Sequence, residues 1–201
     1  MFRVICIVIG YFFGCFQSAY IIGKVVAKID IREHGSGNAG TTNTIRVIGK
    51  IAGLSVFALD ILKTVIAYVI CAYIFKENEV PLPGIYAGVG VILGHNFPVF
   101  LKFKGGKGAA SLIGLILCID WRAAVIAYVC GFISLAATRF VSLASLIISL
   151  LTPVTLVYFQ YSLEVIIISV LVMILSFFQH RENIGRLIKG KESKLVLKKP
   201  R

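Results

Sequence analysis

Long apolar runs restrict the folds open to this chain of 201 residues. A hydrocarbon core about 30 Å thick takes about 20 helical residues to cross. Six runs are about that long, at residues 4–23, 51–75, 84–101, 121–138, 141–159 and 163–179, and the run 108–119 is shorter. A soluble domain with 58% apolar residues would leave much of that surface in water. The sequence therefore predicts an all-α membrane protein, a bundle of about seven transmembrane helices.

The basic residues predict the orientation of this bundle. With the N-terminus outside and seven crossings, seventeen of the 21 Lys and Arg residues fall in inner segments and three in outer ones. This bias follows the positive-inside rule. We therefore expect the N-terminus outside and the C-terminus in the cytoplasm. Residues 1–186 would form the membrane domain, and residues 187–201 a basic cytoplasmic tail that contacts lipid headgroups.

The net charge of +12 indicates anionic partners. The Lys and Arg residues of the chain lie between apolar runs rather than on one folded face, so we expect no nucleic acid partner. Anionic membrane lipids and phosphorylated metabolites explain the charge better. The three His and five Cys residues form no metal-ligand motif, so we expect no metal and no cofactor.

A loop of small and polar residues follows the first apolar run. Glycines let backbone N–H groups turn toward an anion, and the guanidinium of Arg46, one helical turn further on, can engage two phosphate oxygens. A helix cap uses the same residue types, but nine consecutive small or amide residues exceed what a cap requires. We predict a phosphate-binding loop over 35–43, with Ser36, Gly37, Asn38, Gly40, Thr41, Thr42 and Asn43.

A second loop combines lysines with glycines at the start of the short apolar run. It is not a Walker A loop, because Gly108 stands where that motif needs Ser or Thr. Amides, charge and helix dipole together still favour a phosphate. We predict binding by Lys104, Gly105, Gly106, Lys107 and Gly108. Just upstream, His95 and Asn96 are either polar packing at a helix end or substrate contacts.

A third polar segment, His180-Arg181-Glu182-Asn183, ends the last apolar run. On a helix His180 and Asn183 share a face, so both can reach one ligand. His180 either assists proton transfer or is a polar anchor at the membrane surface. Ser142, at another inner helix end, is a further candidate for substrate binding.

Two ionisable residues lie inside an apolar run, three positions apart. Unpaired charges in a membrane span are costly. We therefore expect Asp60 and Lys63 to form an ion pair.

Together these segments closely resemble the acyl-phosphate:glycerol-3-phosphate acyltransferases of bacterial membranes, the PlsY family. The resemblance extends over nearly the whole chain and rests on 35–43 with Arg46, on 94–100 leading into 103–108, on 141–145 and on 180–184 with Arg186. It implies a multi-pass protein of the bacterial cytoplasmic membrane.

The resemblance also implies a reaction. An acyl group would pass from acyl phosphate to the 1-hydroxyl of sn-glycerol 3-phosphate, giving 1-acylglycerol 3-phosphate (lysophosphatidate) and phosphate. Ser36, Arg46, His180 and Asn183 would be important for activity, the glycines of 105–108 would bind glycerol 3-phosphate, and Glu182 would be chiefly structural. The alternative is a membrane transporter for phosphorylated anions, although no inverted repeat is visible.

Overall fold

The structure, a computed structural model, describes residues 1–76 and 81–195, and all regular elements in these ranges are helical. The α-helices are α1 (Phe2–Cys15), α2 (Ser18–Ile22), α3 (Thr41–Val47), α4 (Lys50–Ile74), α5 (Leu82–Asn96), α6 (Ala109–Ile119), α7 (Trp121–Thr138), α8 (Val141–Tyr158), α9 (Leu163–Gln179) and α10 (Arg181–Ile188). A π-helical turn, Gly23–Ala27, continues α2, and 3₁₀ turns occupy Ile31–Glu33 and Val99–Leu101.

Apolar helices of membrane-spanning length recur along the described chain. Five segments qualify: Phe2–Ala27, Lys50–Ile74, Leu82–Leu101, Trp121–Thr138 and Val141–Tyr158. A sixth results if α9 and α10, bent by 62° at their junction, count as one span. The seventh predicted crossing corresponds to α6, whose 11 residues reach only about 16 Å. The all-helical, multi-pass prediction is confirmed.

The chain divides into two compact units, Met1–Leu115 and Ile116–Leu195, with the boundary inside α6. In the first unit, small residues let α1 and α5 pack backbone to backbone. A Cβ at Gly10 or Gly14 would overlap the backbone of α5, and one at Gly90 or Gly94 would overlap that of α1. This is the small-residue packing typical of membrane helices. It places the end of α1 beside the end of α5, where His95 lies.

The rest of the first unit supports the segment between α2 and α4. Ala19, Ile31, Ala39 and Val56 form a buried apolar cluster beneath it. The absence of a side chain at Gly53 lets α4 approach α3 closely. The first glycine loop is thus attached to the helices at both ends.

In the second unit, α7 contacts α8 where Gly131 faces Ile148. Asp120 caps α7 by accepting a hydrogen bond from the Arg122 backbone N–H (2.8 Å). Hydrogen bonds from the Arg122 side chain lower the pKa of Asp120 to about 2, although burial opposes the shift. This carboxylate stabilises the helix start at neutral pH.

Candidate active site

The first glycine loop is organised by one buried amide. Asn43 Oδ1 accepts a hydrogen bond from the Ser36 backbone N–H (2.8 Å), and Asn43 Nδ2 donates to the carbonyls of Ile31 (3.1 Å) and His34 (3.0 Å). Both donor hydrogens of the Asn43 amide are used inside the loop. Its geometry therefore makes Asn43 the residue that shapes the loop rather than an open phosphate donor.

Positive φ angles at two glycines complete the loop. Gly35 (φ 63°) and Gly37 (φ 72°) adopt the left-handed region, where a Cβ is strained. They place Ser36 at the exposed tip between them. Asn38, Thr41 and Thr42 are half-buried behind it, and Gly40 is buried.

Arg46 lies in the last turn of α3 and is exposed. Within residues 1–76 and 81–195 its guanidinium has no ion-pair or hydrogen-bond partner. An exposed guanidinium without a protein partner is available to a substrate phosphate.

The second loop folds back on the end of α5. After the turn Val99–Leu101, both Lys102 and Phe103 adopt left-handed backbone conformations (φ 55° and 60°). The backbone N–H of Gly106 then donates to the carbonyl of His95 (3.0 Å). Gly108 (φ 77°) turns the chain into α6. Lys104 is exposed, and Lys107 is half-buried and has a partner.

These two predicted phosphate loops lie against each other within the first unit. Arg32 Nη1 donates to the carbonyl of Leu101 (3.1 Å), while the Arg32 side chain also holds Asp30 at 2.7 Å and thereby lowers the pKa of that carboxyl. A Cβ on Gly106 would overlap the His95 ring and approach the carbonyl of Ala39. The sequence predicts both loops at the same membrane surface, and within the first unit they are in contact.

A buried polar network lies behind the second loop. Lys63 Nζ is 2.8 Å from Asp60 Oδ1, so the predicted ion pair is confirmed. The same Nζ donates to the carbonyl of Phe16 (2.9 Å) and lies 2.9 Å from His95 Nδ1. Ser18 Oγ donates to Asp60 Oδ1 (2.9 Å). The charges inside the span are therefore compensated by several partners.

In the second unit, the third polar segment lies at the bend between α9 and α10. His180 is buried, and its Nδ1 lies 2.8 Å from the carbonyl oxygen of Ser176. Since a carbonyl can only accept, Nδ1 carries the proton and Nε2 is the basic nitrogen of the neutral ring. Asn183, one helical turn later, is also buried.

A carboxylate from the following segment joins this cluster. Glu192 accepts hydrogen bonds from Ser142 Oγ (3.0 Å), Asn183 Nδ2 (2.7 Å) and Arg186 Nε (2.7 Å), and its side chain is 7% exposed. Burial would raise the pKa of Glu192, but these three hydrogen bonds lower it. Glu192 thus brings together Ser142, a predicted substrate-binding residue, and Asn183, predicted to be important for activity.

Comparisons with known proteins identify the family of this chain. A family model described as glycerol-3-phosphate acyltransferase matches residues 4–190. The chain belongs to the glycerol-3-phosphate acyltransferase family. Glycerol-3-phosphate acyltransferases of Thermoanaerobacter pseudethanolicus and Shouchella clausii are each 43% identical to it, over 97% and 94% of this chain and 96% and 94% of theirs.

Two solved structures have a fold similar to that of this acyltransferase-family chain. PlsY (YgiH), an integral membrane glycerol 3-phosphate acyltransferase, superposes in its glycerol 3-phosphate form with a TM-score of 0.88, at 32% identity and 96% coverage of both chains. Its lysophosphatidic acid form superposes with a TM-score of 0.85, at 32% identity over 96% of this chain and 94% of that one.

Two contacts in this glycerol-3-phosphate acyltransferase-family chain are not predicted by its sequence pattern. The first is the cluster around Glu192, a residue that the sequence places in a basic tail. Glu182, which the resemblance makes chiefly structural, is 75% exposed, and its carboxylate lies 3.9 Å from the Arg186 guanidinium. A lone acidic residue among lysines, at Glu192, was the available signal. The contact of His95 with Gly106 had none, because the two residues meet only through the fold of the loop.

Proposed function

We propose that this protein acylates the 1-hydroxyl of sn-glycerol 3-phosphate with acyl phosphate as donor, in membrane phospholipid synthesis. Its membership of the glycerol-3-phosphate acyltransferase family supports glycerol 3-phosphate as the acyl acceptor. Acyl phosphate as the donor rests on the resemblance of the loop segments. The contact between two glycine loops in the first unit supports a site for a phosphorylated ligand.

The chemistry needs no acyl-enzyme. Oxygen of the glycerol 1-hydroxyl attacks the carbonyl carbon of acyl phosphate, the bond from that carbon to the bridging oxygen breaks, and phosphate leaves with both electrons. The hydroxyl proton goes to a phosphate oxygen of a substrate, with His180 as the competing base. Since acyl phosphate already has a good leaving group, positioning and charge stabilisation supply the acceleration.

We assign roles to residues unit by unit. In the first unit, Ser36 and Arg46 act on the reacting phosphates, and Lys104, Gly105, Gly106, Lys107 and Gly108 bind glycerol 3-phosphate. Asn43 holds the first loop in shape for Gly37, Asn38, Gly40, Thr41 and Thr42 to face the substrates. In the second unit, His180 and Asn183 act in catalysis, and Ser142 binds substrate.

Topology forms part of the proposal. Seven crossings, with the N-terminus outside and the C-terminus in the cytoplasm, account for the charge bias. The resemblance of the loop segments supports the bacterial cytoplasmic membrane as the location. Residues 1–186 are the membrane domain. Residues 187–201 are a basic tail whose lysines contact anionic lipids, while its Glu192 packs against Ser142 and Asn183. Residues 196–201 lie outside the described residues.

The test uses purified protein in liposomes with labelled glycerol 3-phosphate. With palmitoyl phosphate outside the vesicles we expect labelled lysophosphatidate, and with palmitoyl-CoA as the matched donor control we expect none. Product that forms with palmitoyl-CoA but not with palmitoyl phosphate would refute acyl phosphate as the donor. Label that accumulates inside vesicles without product would refute the enzyme and indicate the transporter.

His180 is tested separately as the base. If a substrate phosphate accepts the proton, a His180→Asn enzyme keeps near-normal kcat. Loss of kcat with an unchanged KM for both substrates would assign the proton to His180 instead.

A further inference from the structure

The imidazole of His95 is fixed in one protonation form by its neighbours. Its Nδ1 lies 2.9 Å from Lys63 Nζ. An ammonium has only donors, so Nδ1 must accept. The carboxylate of Asp60 (2.8 Å) and the carbonyl of Phe16 (2.9 Å) both accept from the same Nζ and favour the charged form of Lys63. The ring proton of a neutral His95 therefore lies on Nε2.

His95 Nε2 lies beside the glycine turn. A Cβ on Gly106 would overlap His95 Nε2, so the nitrogen lies directly beneath this glycine. The side chain of His95 is about 5% exposed. Its Nε2 has no hydrogen-bond partner within residues 1–76 and 81–195. An N–H donor on a largely buried side chain, with no protein acceptor, is available to a ligand acceptor at this turn.

Asn96 supports the same reading independently. It is 3% exposed, and both its Nδ2 and Oδ1 are buried without a hydrogen-bond partner in the described part of the chain. A Cβ on Gly108 would lie 2.8 Å from Asn96 Oδ1. Two consecutive buried polar side chains thus face glycines of one loop with unused hydrogen-bonding capacity. Apolar packing at a helix end does not require this.

We propose that His95 is a further substrate-binding residue, donating a hydrogen bond from Nε2 to the phosphate of glycerol 3-phosphate at the Gly105–Gly108 loop. Lys63 and Asp60 are positioning residues, since they fix the tautomer without touching substrate. The proposal rests on the proposed function and names one more contact of that site. It also explains why the turn needs glycine at 106, because a methyl group there would displace the ring.

Two matched substitutions separate this role from packing. His95→Gln keeps an N–H donor near the position of Nε2, whereas His95→Asn is shorter and reaches only the position of Nδ1. We expect His95→Asn to raise the KM for glycerol 3-phosphate roughly ten- to hundredfold, the range for a hydrogen bond to a charged group. His95→Gln should stay within about threefold of wild type. The KM for palmitoyl phosphate should change little in both. Equal KM values for glycerol 3-phosphate in the two variants and wild type would overturn the proposal, as would an effect confined to palmitoyl phosphate.

Nitrogen NMR of wild-type protein labelled with ¹⁵N-histidine gives a test that needs no variant to fold in active form. Only three histidines contribute, His34, His95 and His180. We expect His95 to show a protonated Nε2 and an unprotonated Nδ1. Added glycerol 3-phosphate or inorganic phosphate should shift its Nε2 resonance, and glycerol should not. If wild type makes lysophosphatidate but the His95 resonances do not shift on addition of glycerol 3-phosphate, the His95 contact is refuted and the proposed function stands. If no lysophosphatidate forms, the proposed function fails first.

Discussion

Replacing Asn43 by alanine tests whether one buried amide shapes the first phosphate loop. The substitution removes three hydrogen bonds, one from the Ser36 N–H and two to the carbonyls of Ile31 and His34. At about 1 kcal/mol each, and with a discount because Ser36 and His34 are exposed to water, the loop loses about 2–3 kcal/mol of local stability.

Hydrogen exchange measures this loss directly. A loss of 2–3 kcal/mol lowers the protection of amides in the loop roughly 30- to 150-fold. Suitable reporters are the N–H groups of Gly37 and Thr44, which donate to His34 and Gly40. Because Ser36 loses its fixed position, kcat/KM should fall as well. The matched control is Asn38→Ala, which removes an amide without a hydrogen bond in the described chain and should leave exchange unchanged.

Wild-type exchange in the Asn43→Ala variant would refute this reasoning. It would mean that the apolar cluster beneath the loop, around Ile31 and Ala39, holds the loop in shape without the amide.

Three further predictions concern single side chains. Arg46→Ala should lower kcat by at least about a hundredfold with an unchanged melting temperature, because Arg46 is exposed and has no hydrogen-bond or ion-pair partner among the described residues; full activity would remove it from the site. Gly106→Ala should raise the KM for glycerol 3-phosphate by displacing His95, and a loss confined to acyl phosphate affinity would assign this loop to the other substrate. The lowered pKa of Glu192 means that its contribution to stability is present above the ordinary carboxyl pKa and lost as the pH falls through the lowered value. Melting curves of Glu192→Gln should therefore depend less on pH between 3 and 6 (roughly) than wild type, and equal dependence would contradict this role.

Hydropathy predicted the helices well, because a bilayer leaves a long apolar run few alternatives to a helix. The run 51–75 corresponds to Lys50–Ile74, and 141–159 to Val141–Tyr158. The run 108–119 was harder, since α6 is too short for length alone to decide whether it crosses.

Local chemistry in the sequence predicted the loops but not the contacts between them. Positive φ at Gly35, Gly37 and Gly108 fits the glycine pattern. The internal role of Asn43 depends on carbonyls 9 and 12 positions upstream. A spacing pattern contains no information on such contacts.

The ion pairs likewise include one that local spacing predicts and one that it does not. Asp60 and Lys63 were predictable because two charges one turn apart in an apolar helix need each other. The role of Glu192 was not, because no helical spacing pairs it with Arg186, six residues upstream, or with Ser142, 50 residues upstream.

The central claim is that the protein transfers an acyl group directly from acyl phosphate to glycerol 3-phosphate. The most direct measurement follows lysophosphatidate and phosphate together, using purified protein and acyl phosphate with ¹⁸O in the bridging position. We predict equal amounts of the two products, all ¹⁸O in the phosphate, and no phosphate release without glycerol 3-phosphate. Phosphate release that is independent of glycerol 3-phosphate, or ¹⁸O in the lipid ester, would contradict the account.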